Sequence, residues 1–418
     1  MSLVKEDGEG AACAATPSRP VWPLLASIAV LYASFGSIYG LMQGGLPPLM
    51  RARGIDLASI GWSFLMLVPF GLTFLWAPVI DAVRPMRKRP RIGWIVPMQA
   101  VIVCGLLVVA QGEHFPPLVL LTFGIVIAFA AATMDVALDA LATASIPADQ
   151  RTVVGGLKVA ALGFGAILGG GVFVALSNQL GWTATFNLCA AVSALSTVPI
   201  IFSRKWDFVT EGTKPGRPSI LAVLRQGAMR RRMIFLTLTT MSIVALSFLN
   251  RVMLVDLDVT VETIGWIVGI GAPVFGLLAA LGAIPVVRIL GSRFGVLIFT
   301  LICLFASGGM IIGALRHDTV LAISGAIVMS GGTSGLFVIL SAATLGWADG
   351  PQPATDYAVL YGVSRLIATF AIIGLSNLVA VIGWSVYYVG ASFALLVAAL
   401  LLCTILPDLK RHGIDASK

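Results

Sequence analysis

Long apolar runs separated by short polar breaks dominate the chain. They are continuous, not ten-residue alternating segments, so they predict membrane-crossing helices and not the strands of a barrel. Hydropathy places twelve spans, at 22–47, 57–82, 93–111, 117–146, 153–178, 184–203, 233–255, 263–287, 294–315, 319–347, 356–379 and 384–406. One polar stretch, 204–232, is much longer than the others and divides six spans from six. The expected organisation is a tail over 1–21, a six-helix bundle over 22–203, a central loop over 204–232, a second six-helix bundle over 233–406 and a tail over 407–418.

Composition narrows the class. Of 418 residues, 58% are hydrophobic and 11% are charged; a soluble domain carries about 25% charged residues. A soluble enzyme, a disordered chain and a fibrous protein are excluded. The net charge of +8 has a topological origin. Of 27 Lys and Arg residues, one side holds four (Arg51, Arg53, Arg251 and Arg316) and two (Lys158 and Arg365) fall within spans; the remaining 21 fall on the other side, with both tails and the central loop. By the positive-inside rule that side is cytoplasmic. Because the basic residues track the loops, no nucleic-acid partner is expected. Cys104, Cys189, Cys303 and Cys403 sit in apolar segments and Cys13 in the tail, with no metal-ligand spacing, so neither a metal nor a cofactor is expected. The first twenty residues mix Lys5, Glu6, Asp7, Glu9 and Arg19 and have no apolar core, so no cleaved signal peptide is expected.

The two halves repeat. Ile60-Gly61-Trp62 recurs as Ile264-Gly265-Trp266, and at the same offset Pro69 meets Pro273 and Arg84 meets Arg288. Asp149 precedes Lys158 as Asp356 precedes Arg365, Gly155 aligns with Gly362, and Gly181-Trp182 recurs as Gly383-Trp384. A parallel repeat of six spans is the signature of the major facilitator fold, whose halves rock about a site near the midplane. No nucleotide-binding loop is visible, so movement of a solute would run downhill or on a gradient.

Ionisable groups inside a membrane are costly and mark functional sites. Asp135 and Asp139, four residues apart in span four, share one helix face. Burial and mutual repulsion favour their protonation, which makes either a candidate proton carrier. Lys158 lies about 7 Å into span five and Asp139 about 10 Å into span four from the same side, so the two can also pair. Arg365 lies about 14 Å into span eleven. Asp356, nine residues before it, falls on the opposite face of the helix. Arg365 therefore meets an acid of the other half, with Asp135 the natural candidate, a backbone carbonyl, or an anionic group of a solute, which its fork suits. Asp81, at the end of span two, with Arg84 and the basic run after it, has the character of a gate and topology anchor.

Polar stripes at helical spacing add a cavity wall. Span one carries Tyr32, Gly36, Tyr39 and Gln43, span ten carries Ser330, Ser334, Phe337, Ser341 and Thr344, and span eleven adds Tyr361 beside Arg365. Close helix packing through small residues explains the serines and glycines equally well; Gly163, Gly165, Gly169, Gly170 and Gly171 are expected to be packing positions. Tyr39, Trp62, Phe337 and Tyr361 would suit a bulky, partly aromatic or amphipathic ligand.

The stretch YGLMQGGLPPLMRARGIDLASIGWSFLMLVPFGLTFLWAPVIDAV (39–83) and the string ATMDVALDALA (132–142) resemble the AmpG-like branch of the major facilitator superfamily, with Met134 where that branch often has Gln. ATDYAVLYGVSRLIATF (354–370) extends the resemblance into the second half. The branch holds muropeptide permeases, acetyl-CoA transporters and the RhtX/FptX siderophore permeases of bacterial inner membranes. A chain near 400 residues, without the two further spans common in AmpG proteins, looks most like the siderophore type. That resemblance implies proton-driven import of an intact ferric siderophore from periplasm to cytoplasm by a multi-pass protein of the bacterial inner membrane, expected to work as a monomer. The alternatives are a muropeptide permease and, in another class, a non-transporting membrane sensor. An intramembrane enzyme is disfavoured, since His114, His317 and His412 all lie in loops or the tail.

Overall fold

A computed structural model describes residues 22–83, 85–86, 88–145, 151–202, 207, 226–348 and 353–406. Ten helices among them are long and apolar enough to cross a membrane: α1 (Trp22–Ala52), α2 (Leu57–Ala77), α3 (Ile92–Gln111), α4 (Pro117–Ala142), α5 (Gly156–Phe202), α6 (Gly227–Asp256), α7 (Val261–Leu290), α8 (Ser292–Arg316), α9 (Thr319–Trp347) and α10 (Asp356–Cys403). The tails, most of the central loop, Arg84 and Asp149 lie outside the described residues.

Two of the ten are too long for one crossing. α5 has 47 residues and α10 has 48, which at 1.5 Å per residue is about 70 Å against a hydrocarbon core of about 30 Å. Each breaks at a glycine. Gly181 has φ 74° and ψ 174°, and Gly383 has φ 76° and ψ 166°, a region open to glycine and closed to other residues. The tryptophan that follows anchors each turn: Trp182 Nε1 donates to the Val109 carbonyl at 2.7 Å, and Trp384 Nε1 donates to Asp256 at 2.9 Å. The repeated Gly-Trp pair is thus a repeated turn, placed where hydropathy ends the fifth and eleventh spans.

Within the first half, α1 and the first segment of α5 pack backbone to backbone. A Cβ at Gly36 would lie 2.4 Å from the Leu162 carbonyl oxygen, and one at Gly169 would lie 1.8 Å from that of Ser37. Small residues at such a crossing replace the hydrophobic effect, which is absent between helices in lipid, with close van der Waals contact. Three π-helical turns interrupt the ladder, at Leu41–Gly45 in α1, Leu168–Val172 in α5 and Ile264–Val268 in α7. The α1 turn packs on the α5 turn, which packs on the α7 turn. π-turns rearrange the i→i−4 ladder and recur at functional sites.

The halves meet along two crossings, α2 on the first segment of α10 and α7 on the first segment of α5. The Ile-Gly-Trp repeat sits at both. A Cβ at Gly61 would lie 2.8 Å from the Ser376 Cβ, and one at Gly265 would lie 2.4 Å from the Ala175 nitrogen. The adjoining tryptophans turn away, with Trp62 54% and Trp266 41% exposed. At one end the closure is also ionic: Arg51 of α1 pairs with Asp256 of α6 at 2.5 Å. Asp207, from the stretch read as the central loop, caps α3 by accepting from the amides of Arg91 and Ile92 at 2.9 and 2.8 Å.

Candidate functional site

The face of α4 formed by Met134, Ala137, Leu138 and Leu141 is fully buried in the first half. That packing turns Asp135 and Asp139 onto the neighbouring face, toward α5. Lys158 Nζ reaches Asp139 Oδ1 and Oδ2 at 2.7 Å each and Asp135 Oδ1 at 3.2 Å. The Tyr32 hydroxyl of α1 donates to Asp139, and the Lys158 ammonium lies 4.8 Å from the Tyr32 ring centre. One cation thus holds two carboxylates, with three helices contributing. The side chain of Asp139 is 49% exposed against 24% for Asp135, so Asp139 is the more accessible of the two carboxylates. Chemically, two carboxylates sharing one ammonium can hold a proton on one acid while the other keeps the cation.

Arg365 lies elsewhere. Its guanidinium carbon stands 5.1 Å from the Tyr39 ring centre and 5.8 Å from that of Phe70, and the two rings meet edge to face at 5.4 Å. Among the described residues no carboxylate lies at ion-pair distance from it; Asp135 is within electrostatic reach, as is Tyr361. Of the alternatives open for Arg365, the ion pair with Asp135 is not formed: Lys158 already occupies Asp135 and the aromatic pair cradles the guanidinium instead. Tyr361 stacks on Tyr357 with ring centres 5.8 Å apart.

Beside this lies an internal cavity of about 260 Å³ between the halves. Of the residues expected to bind a solute, Tyr39, Gln43, Ser334 and Phe337 line it. Tyr39 is shared, forming wall for the cavity and platform for Arg365. Ser341 does not line it; it lies seven residues beyond Ser334 on α9, past the reach of this space. Trp62 lies apart from them. It borders a separate, mostly apolar cavity of about 740 Å³ within the first half, because the glycine before it occupies the crossing and sends the indole outward. Asp81 lies in the last turn of the helix Val68–Ala82, and its expected gate partner Arg84 is outside the described residues.

The structure adds Arg251, which the sequence reading counted with the basic residues of the outer side. It lies in the helix Asn250–Asp256, facing inward, and its Nη1 donates to the carbonyls of Gly44 at 2.8 Å and Gly170 at 2.5 Å. It lines the 260 Å³ cavity. The signal was present: Arg251 falls inside the apolar run of the seventh span, flanked by Leu249, Val252 and Met253. Removing it from the outer side sharpens the basic asymmetry.

A family model described as acetyl-coenzyme A transporter 1 matches residues 25–116. The anhydromuropeptide permease of Escherichia coli K12 is 29% identical over 174 residues, which is 41% of this chain and 35% of that protein. A putative transporter AmpG 4 of Rickettsia felis is 25% identical over 168 residues, 39% of this chain and 41% of the relative. The matched stretch thus spans well under half the length of each. A nucleoside transporter, NupG, superposes with TM-score 0.70 at 13% identity, over 91% of this chain and 99% of its own. A POT family transporter in complex with 5-aminolevulinic acid superposes with TM-score 0.72 at 14% identity, over 93% and 96%. None of these names an iron complex. Ten apolar helices and these likenesses identify a multi-pass membrane protein with the all-helical fold of major facilitator transporters.

Proposed function

We propose that the chain is a proton-coupled secondary transporter of the muropeptide-permease kind, importing a large, multiply acidic solute by alternating access. One observation carries the reading. Asp135, Asp139 and Lys158 form an ion network within the apolar spans, its outer acid half exposed, and Arg365 has no carboxylate at ion-pair distance among the described residues. The first group can take up and release a proton; the second can hold an anionic group. We count twelve spans by dividing α5 and α10 at their glycine turns, arranged as bundles over 22–203 and 233–406 with both termini cytoplasmic in a bacterial inner membrane.

The names of the relatives favour the substrate class. An anhydromuropeptide joins a sugar to a peptide with free carboxylates, and acetyl-coenzyme A carries phosphates; both are large and multiply acidic. The expectation of a ferric siderophore rested on chain length, which says nothing about what the cavity binds, so the muropeptide alternative takes its place. In the proposed cycle a proton entering at Asp139 weakens its hold on Lys158. Lys158 then shifts its charge toward Asp135, and the ionic tie between α4 and α5 loosens as the halves rock. The closed end, held by Arg51 and Asp256, opens when the other end shuts.

Uptake into proteoliposomes tests this, with an inward proton gradient and without one. A labelled anhydromuropeptide, labelled acetyl-coenzyme A and a radio-iron siderophore would be compared. Gradient-driven uptake of the muropeptide is expected. Uptake of the iron complex alone would restore the siderophore reading, and gradient-independent uptake would remove the proton.

A further inference from the structure

Arg251 is built into the protein as few membrane arginines are. It comes from α6 in the second half, yet its two acceptors, Gly44 and Gly170, belong to α1 and α5 of the first. Both acceptors lie in π-helical turns, where the altered ladder leaves carbonyls for other donors. Both are glycines, and this makes the seat: a Cβ at Gly44 would lie 2.7 Å from Arg251 Nη1, and one at Gly170 would lie 3.1 Å from it.

Two neutral carbonyls on one nitrogen do not neutralise a guanidinium. Nε and Nη2 have no protein acceptor among the described residues, and the side chain borders the 260 Å³ cavity. The cavity wall contains no aspartate or glutamate. It does offer neutral polar groups, Gln43, Asn250, Ser330, Thr333 and Ser334. A cation in a low-dielectric site without a counter-charge is costly, and the counter-charge here has to arrive with whatever fills the space. A planar fork with free donors suits a carboxylate or phosphate oxygen pair. The volume suits one such group with its neighbouring atoms, and not a whole solute.

We propose that Arg251 is a second anion-binding residue, so that the solute presents two acidic groups, one to Arg251 in the cavity and one to Arg365 across Tyr39. This rests on the transport reading above and deepens it. The carbonyls of Gly44 and Gly170 hold Nη1 in place, which leaves the other edge of the fork oriented before the solute arrives. A mono-acid satisfies one guanidinium and leaves the other uncompensated, so the pair selects for di-acids.

The test is calorimetric titration of the purified full-length protein in detergent. The probes are an anhydromuropeptide carrying an alanyl-glutamate dipeptide, which has two free carboxyls, and the same compound with either one or both amidated. In the wild type each lost acidic group is expected to weaken binding about tenfold. In Arg251→Gln one of the two steps disappears, and in Arg365→Gln the other; Arg251→Lys, which keeps the charge, retains part of the step. Wild-type binding that ignores the first amidation overturns the proposal without any variant having to fold. So does an amidation cost that Arg251→Gln leaves unchanged, which would make Arg251 a clasp between the halves only. If the muropeptide does not bind and a ferric carboxylate siderophore does, the substrate reading falls, and amidating that complex decides the anion site. Binding of neither overturns both.

Discussion

Lys158 grips Asp139 by both carboxylate oxygens at 2.7 Å and Asp135 by one at 3.2 Å. The unequal hold, with Asp139 the more exposed, assigns the two acids different parts in a cycle. Asp139→Asn is expected to abolish accumulation against a gradient, by about tenfold or more, while leaving downhill exchange. Parallel uptake and counterflow assays in proteoliposomes measure the two. Equal loss of both would mean that the pair only holds α4 to α5.

Arg365 lies over Tyr39 and Phe70 with no ionic partner at hand among the described residues. Arg365→Ala is expected to weaken solute binding about ten- to hundredfold, the range of a charge-assisted hydrogen bond. Arg365→Lys keeps the charge, loses the fork and recovers only part of the affinity. An unchanged dissociation constant in Arg365→Ala would take this residue out of the site.

Gly181 and Gly383 break α5 and α10 with positive φ, and nothing lies within 4 Å of where their Cβ atoms would be. The cost of a side chain there is purely conformational. Gly181→Ala and Gly383→Ala should each destabilise by about 1–3 kcal/mol. Gly374→Ala, equally uncrowded but inside a helix, should be neutral or mildly stabilising. Thermal unfolding in detergent reads all three; equal midpoints would show that the turns tolerate a Cβ.

Asp56 caps the helix that opens α2, accepting from the Ser59 amide at 2.8 Å and from its hydroxyl at 2.7 Å. Those two bonds hold its carboxyl below the ordinary value of 3.8. A group with a lowered folded pKa contributes stability above its unfolded pKa and loses it as pH falls through the folded one. The stability difference between wild type and Asp56→Ala should therefore be constant near neutrality and shrink below about pH 4. A difference that persists in acid would assign the cap to something other than the carboxylate.

Much of the architecture was legible because a bilayer converts hydropathy into length. The Gly-Trp repeat marked both turns, and the depths of Asp139 and Lys158 on neighbouring helices anticipated their meeting. Depth is one coordinate, however, and the rotation of each helix about its axis is another. Hydropathy carries little of the second in a span that is apolar all round. That is why Trp62 was expected in the cavity and faces away from it, and why Tyr32, a candidate only as part of a stripe, was not connected to Asp139. Arg251 is a different case: its place in an apolar run marked it, but its acceptors are backbone carbonyls made available by π-turns, and no side-chain pattern announces those.

The crossing of α5 and α7 has a mechanical meaning. Gly171 and Gly269 face each other there, so close that a Cβ on Gly269 would lie 2.4 Å from the Gly171 Cα. Interlocked side chains must disengage before two helices can tilt. Two bare backbones have nothing to disengage, and one can roll on the other as a journal rolls in its bearing. The glycines that bring these two helices backbone to backbone are thus also those that, in the proposed cycle, would let the halves swing about that line of contact at low cost.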